Sequence, residues 1–285
     1  MSHSDDKDNR YKLIYTPKKD QPMQVIVFAS GSGGNLLAAI NISNKNPNLL
    51  NVGLVVTDRL GIKAIDIAKS NNIPVIASDF EKECGIWEEC KKDPKKKEKY
   101  FNLAIKFHDR VLRQILELEK ISGKKFDLVV LSYHRWIHGK LLEHFEDKVI
   151  NQHAGDLSVM KEAYPVERKY IGINPVLIAF KKGETRTRTS TFLVGEGHDT
   201  GEILCQGPWV VYNGSYPITK ESAWGHEVIQ KRESDWPSLA FALEKIALGQ
   251  FAVSLQKKHP DGGRVIVFKG KDLPYAGVDI AEYKE

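Results

Sequence analysis

The stretch QVIVFASGSGGNLLAAINISNK, residues 24–45, decides the fold. QVIVFAS is a short β-branched apolar run. It opens into the glycine-rich turn Ser30-Gly31-Ser32-Gly33-Gly34-Asn35, and LLAAINISNK follows as a helix that Asn35 or the glycines before it can start. The reading is strand, turn, helix. The unit recurs downstream: NVGLVVTD at 51–58, a helix around Ala64 to Ser70, IPVIASD at 73–79 and FDLVVLSYH at 126–134. Strands that are apolar throughout, rather than alternating, are buried on both sides. Their alternation with helices predicts an α/β fold, a mostly parallel twisted sheet with helices on both faces. In such sheets ligands sit beyond the carboxyl ends of the strands. Attention therefore goes to Ser30–Asn35, Ser132–Trp136 and Asn151–Asp156.

Outward from this core, residues 1–22 are polar and charged and end at Pro22, which predicts a flexible leader with the fold beginning at Met23. A charged region between about Glu81 and Lys125 contains CKKDPKKKEKY and then a run in which Ala104, Phe107, Val111, Ile115 and Leu118 recur every three or four residues. That spacing is an amphipathic helix covering the sheet. After Asp156 the alternation weakens: TRTSTFLV, EILCQGPWVV and a helix from about Ser222 to Ala247 suggest a mixed continuation, and RVIVFKGKDLPY a final strand pair. No linker separates the halves, so residues 23–250 read as one domain and 251–285 as a short C-terminal appendage.

Composition narrows the function classes. With 285 residues, 41% hydrophobic content and a mean hydropathy of −0.36, the chain can bury a sizeable core. No apolar run approaches the roughly 20 residues that span a bilayer, and the start MSHSDDKDNRYKL lacks the apolar stretch of a signal peptide, so the expected address is cytoplasmic. Cys84, Cys90 and Cys205 have neither even count nor C-x-x-C spacing, which argues against disulfides and structural zinc. A net charge of +5 suits an anionic small molecule and demands neither nucleic acid nor membrane.

Three motifs carry candidate chemistry. The turn Ser30–Asn35 lets backbone N–H groups approach an anion at a helix N-terminus, although it is also simply a tight turn. It is neither G-x-G-x-x-G, since Leu36 stands three beyond Gly33, nor a P-loop, since it has no Lys. In VINQHAGDLS, Asn151 and His153 lie two apart at a strand end and so project to one face. A carboxamide and an imidazole presented together suit a developing oxyanion and a proton shuttle, while a strand-end histidine can equally be structural. In GEGHDTGEIL, Asp199 precedes a glycine turn; a carboxylate meeting His153 would raise its pKa and fix its tautomer, whereas alone it reads as a turn residue.

The order of these motifs resembles the glycinamide ribonucleotide formyltransferase family, from about Gln24 to Gln250, through VIVFASGSGGNL, FDLVVLS, VINQH and RTSTFLVGEGHDTGEIL. The resemblance implies a Rossmann-like formyltransferase domain over 23–250 that uses 10-formyltetrahydrofolate as co-substrate, without metal, in purine biosynthesis. It implies Asn151, His153 and Asp199 as the catalytic trio, Gly33, Gly34 and Asn35 as the substrate phosphate site, and Tyr133, His134, Arg135, Trp136 and Ile137 as the folate segment. The implied partners are a small phosphorylated amine and a folate. Three departures stand out: Ala154-Gly155-Asp156-Leu157-Ser158 where members have Pro-Ser-Leu-Leu-Pro, Phe192 where they have His, and His134-Arg135-Trp136 in the folate segment. The acceptor therefore stays open between glycinamide ribonucleotide, a nucleotide-linked amino sugar, an aminoacyl-tRNA and water. A tRNA acceptor favours a basic C-terminal domain, and the tail here is short and mixed in charge. A different class, a dinucleotide-binding module with Asp58 on a ribose, leaves the N-x-H and D-x-G motifs unexplained.

Overall fold

Every residue of the strand Met23–Ala29 is buried, as a strand covered on both sides requires. The computed structural model describes residues 10–164 and 166–284, and within it the chain forms two compact units. One comprises residues 18–152 with 194–196; the other comprises the described residues of 1–17, 153–193 and 197–285.

In the first unit five strands run parallel, ordered Val75–Ala77, Leu50–Thr57, Met23–Ala29, Leu128–Ser132, Val149–His153. Ile26, Phe28, Leu54, Val56, Val129 and Leu131 cluster with Ala104, Phe107, Val111 and Ile115 of the helix Pro94–Ser122. This is the covering helix that the spacing predicted. It starts where Asp93 accepts from the amides of Lys95 and Lys96 with Pro94 in the first turn, and it ends at Gly123 in the left-handed conformation. Its Phe107 is essentially buried, worth about 2–3 kcal/mol over leaving that side chain in water. The helix Gly34–Lys45 packs on the strand Leu50–Thr57. Gly33 caps it at φ 75°, and a Cβ there would lie 2.9 Å from Ile67 Cδ1.

The second unit is mixed. Ser190–Leu193 pairs antiparallel with Ile203–Gln206, which pairs parallel with Val278–Asp279. A separate antiparallel sheet has the order Tyr11–Leu13, Phe251–Lys258, Arg264–Phe268, Lys271–Asp272. Three expectations differ here. Residues 1–9 of the expected leader lie outside the described residues, but Tyr11–Leu13 form a strand against residues 252–254, and Ile14 and Tyr15 are buried. Phe251–Lys258, expected to open an appendage, is an inner strand of that sheet with Phe251, Ala252 and Val253 in the core. The predicted helix over 222–247 is also two helices, Lys220–Gln230 and Trp236–Ala247, joined by the π-helical turn Lys231–Asp235. Pro237 lacks the amide to continue the ladder, and the wider turn carries Ser234 and Asp235 inward to Thr189. Cys84, Cys90 and Cys205 are free thiols. No helix among the described residues is long and apolar enough to cross a membrane.

Candidate active site

In the first unit, two of the predicted strand ends are tied together. The amide of Ser30 donates to the Ser132 carbonyl at 3.2 Å, and the amide of His134 donates to Ser30 Oγ at 2.8 Å. Gly33, Gly34 and Asn35 form the N-terminus of a 12-residue helix that has no side-chain cap and no acidic residue in its first turn. Its first amides thus have no side-chain cap, and a helix N-terminus of that kind favours negative charge. Asn35 Nδ2 donates to Gln152 Oε1 at 3.0 Å, so the turn also reaches the strand that bears Asn151.

The segment Tyr133–Ile137 divides by direction. Tyr133 packs edge-on against Phe28 with ring centres 5.3 Å apart, and Ile137 is buried. The Arg135 guanidinium turns inward over the Phe80 ring, donating to Asp58 Oδ2 at 2.8 Å and to Glu81 Oε1 at 2.6 Å. His134 and Trp136 are exposed, Trp136 stacked on Phe101. Asp58, the residue a ribose would need in a dinucleotide site, is fully buried beneath Arg135.

In the second unit, His153 and Asp199 meet. His153 Nε2 lies 2.6 Å from the Tyr170 carbonyl, which can only accept, so this nitrogen carries the proton. Nδ1 then faces Asp199 Oδ2 at 3.6 Å. Burial pushes the His153 pKa below its ordinary value, and the Asp199 carboxylate opposes that shift. Asp199 sits in the left-handed region at φ 52°, and its Oδ2 accepts from the amide of Gly172 at 2.9 Å with His198 Nε2 3.2 Å away. Asn151 stands two residues before His153 on the same strand, its Oδ1 accepting from the Gln152 amide at 2.8 Å.

Sequence reasoning missed the residues that hold this pair. A Cβ on Gly155 would lie 2.9 Å from the Tyr170 carbonyl and 3.1 Å from His153 Cδ2, so only glycine admits the Tyr170 contact. Arg168, Tyr170 and Gly172 carry no local pattern that marks them. The departures after His153 also have a structural account. Asp156 accepts from Arg188 Nε at 2.8 Å, from Gln206 Nε2 at 3.0 Å and from the Ser158 amide at 2.9 Å, while Arg188 also reaches Asp279 at 2.8 Å. Ser190 Oγ donates to the Gly155 carbonyl and accepts from the Leu157 amide. The polar residues of this loop therefore hold it to its own unit. Among the described residues, no group of three or more His, Cys, Asp or Glu side chains could hold a metal.

The sequence profile of the formyl transferase family matches residues 23–215. A phosphoribosylglycinamide formyltransferase of Bacillus subtilis (strain 168) is 31% identical over 181 residues, 63% of this chain and 75% of its own. Among solved structures, the phosphoribosylglycinamide formyltransferase from Coxiella burnetii superposes with a TM-score of 0.62 at 20% identity, over 91% of this chain and 99% of that one. A formyltetrahydrofolate deformylase from Pseudomonas putida KT2440 superposes with a TM-score of 0.54 at 18% identity, over 82% and 68%. The two structural likenesses speak for the fold; the profile over two thirds of the sequence, together with the Bacillus relative, makes this chain a member of the formyl transferase family.

Proposed function

We propose that the chain transfers a formyl group from 10-formyltetrahydrofolate to the amine of glycinamide ribonucleotide, with Asn151, His153 and Asp199 at the reacting centre. The observation that carries the reading is the buried His153–Asp199 contact, formed by the two motifs whose order marks the family. The likeness to the Bacillus subtilis phosphoribosylglycinamide formyltransferase supports this acceptor.

The amine attacks the formyl carbon, making a C–N bond and leaving an oxyanion. The Asn151 carboxamide donates to that oxygen. His153, neutral at rest because of burial, has only Nδ1 left for the reaction, since Nε2 is committed to Tyr170. Asp199, directly or through a water, takes the amine proton and passes it to Nδ1 of His153, and the imidazolium so formed is stabilised by the carboxylate charge that Asp199 regains. Collapse breaks the bond to N10 of the folate, and the proton passes to N10 as it leaves. The N-terminal amides at Gly33, Gly34 and Asn35 receive the acceptor's phosphate. The folate lies along Tyr133–Ile137; because Tyr133, Arg135 and Ile137 face inward, it meets the backbone there and the exposed His134 and Trp136.

The test follows release of deformylated folate with glycinamide ribonucleotide, with a nucleotide amino sugar, and with no acceptor. Asn151→Ala and Asp199→Asn should fold and lose about 10²- to 10³-fold in turnover. Near-full activity in either variant removes the assignment. Release without any acceptor would make water the acceptor, the reading that the likeness to the deformylase favours.

A further inference from the structure

One short segment, Arg168–Gly172, grips both members of the His153–Asp199 pair. The Tyr170 carbonyl fixes His153 Nε2, and the Gly172 amide bonds Asp199 Oδ2. Arg168 holds the backbone on which Asp199 stands. Its guanidinium donates to the Asp199 carbonyl at 2.6 Å and to the Gly201 carbonyl at 2.8 Å, and its Nε donates to Tyr275 Oη at 2.8 Å, which in turn donates to Asp261 Oδ2 at 2.5 Å. A planar fork can engage two carbonyls one residue apart; an ammonium offers a single point charge.

Stability alone accounts poorly for this residue. Arg168 is buried, and among the described residues no carboxylate pairs with it directly. A buried cation that meets carbonyls, a hydroxyl and the face of the Tyr275 ring, 5.3 Å away, loses hydration without the compensation of an ion pair. The turn it holds is meanwhile in a conformation non-glycine residues seldom adopt, Asp199 at φ 52°, and such geometry persists only where its surroundings over-determine it.

We propose that Arg168 is a positioning residue: through the carbonyls of Asp199 and Gly201 it sets the distance of the Asp199 carboxylate from His153. The role in turnover rests on the formyl-transfer reading. A displacement of about 1 Å at a reacting group can cost on the order of 10²-fold in rate.

The test compares Arg168→Met and Arg168→Lys with the unmodified chain in kcat, in KM for both substrates, and in the titration of His153 followed by NMR without substrates. Four groups face His153: Asp199, His198, Arg168 and the Tyr170 carbonyl. Removing Arg168 has two opposed effects on the imidazole. Losing a nearby positive charge raises its pKa, whereas losing the Asp199 contact lowers it, and Asp199 exerts the larger influence. In folded Arg168→Met the His153 titration should therefore move down, and kcat should fall about 10- to 100-fold with both KM values within about threefold. A titration that moves up with kcat retained would make Arg168 a background charge and overturn the proposal. So would a loss confined to the unfolding midpoint. If the Met variant does not fold, Arg168→Lys keeps the cation but reaches one carbonyl; it should lose part of kcat at unchanged KM, and full kcat refutes the clamp. The titration also separates the two levels of inference. A chain that transfers no formyl group to any acceptor fails the functional reading, whereas an unmoved His153 titration overturns the clamp whatever the activity.

Discussion

Replacing Asp156 by Ala removes one carboxylate from a buried network. Its partner Arg188 has a side chain only 10% exposed, Asp156 itself 7%, and Arg188's other carboxylate, Asp279, 30%. Gln206 Nε2 and the Ser158 amide lose their acceptor at the same time. Removing one member of a buried ion pair costs about 3–5 kcal/mol because the remaining charge stays buried. Asp279 keeps Arg188 partly compensated, so the low end applies, about 3 kcal/mol. For a chain of this size that is a fall in Tm of roughly 6–12 °C. The assay is urea unfolding of Asp156→Ala, Arg188→Met and the double variant that carries both. Each single variant should be destabilised by about 3 kcal/mol and the double by less than the sum, since with both side chains gone neither charge of the pair is left buried without the other. A single variant within about 1 kcal/mol of the unmodified chain would refute the view that the unusual loop after His153 is held by this network.

Other consequences follow from the same reasoning. Gly33→Ala places a Cβ 2.9 Å from Ile67 Cδ1 at φ 75°, and should destabilise the fold by about 1–3 kcal/mol in urea unfolding; an unchanged midpoint contradicts that geometry. His108, buried among Phe80, Phe107 and Tyr133, has its pKa pushed down to about 3 by burial. A histidine held neutral in the fold contributes stability that is full above its unfolded pKa of about 6.5 and is lost as pH falls from there toward 3, at about 1.4 kcal/mol per pH unit. His108→Phe should flatten the decline of the urea midpoint between about pH 6 and 4, and an identical slope in both proteins rejects the assignment. Arg135→Met leaves the fully buried Asp58 carboxylate only the longer Arg59 contact at 3.7 Å and should cost about 3 kcal/mol, the low end for a broken buried pair; an effect seen only in the KM for folate would make Arg135 a ligand contact instead.

The parts of the fold with local patterns were legible from residues alone. Continuous apolar runs marked Met23–Ala29 and Leu128–Ser132, and the three-and-four spacing of Ala104 to Leu118 marked the covering helix. The resemblance set His153 and Asp199 in one trio, but spacing alone could neither bring them together nor give the geometry of their contact. The contacts that hold the pair come from Tyr170 and Gly172, whose contributions are a carbonyl and an amide that every sequence has. Side-chain direction in Tyr133–Ile137 was hidden for a related reason. Arg135 turns inward onto partners far off in sequence, Asp58, 77 positions away, and Glu81, 54 away. Tyr11–Leu13 gave no strand signal because three residues cannot show an alternation, and their partner lies near residue 253.

That last pairing has a consequence for biosynthesis. Residues 18–152 form most of one unit in a single run and can collapse as soon as they leave the ribosome. Tyr11–Leu13 precede them, yet bond to residues 252–254, so the early strand stays unpaired while some 240 further positions are translated. At about 5–20 residues per second that is an interval of roughly 12–50 s. Through it the apolar side chains of Ile14 and Tyr15, buried in the finished molecule, are open to chaperones and to neighbouring nascent chains. Slower translation lengthens that exposure, and a chain permuted so that residues 10–17 follow the strand Phe251–Lys258 would all but remove it.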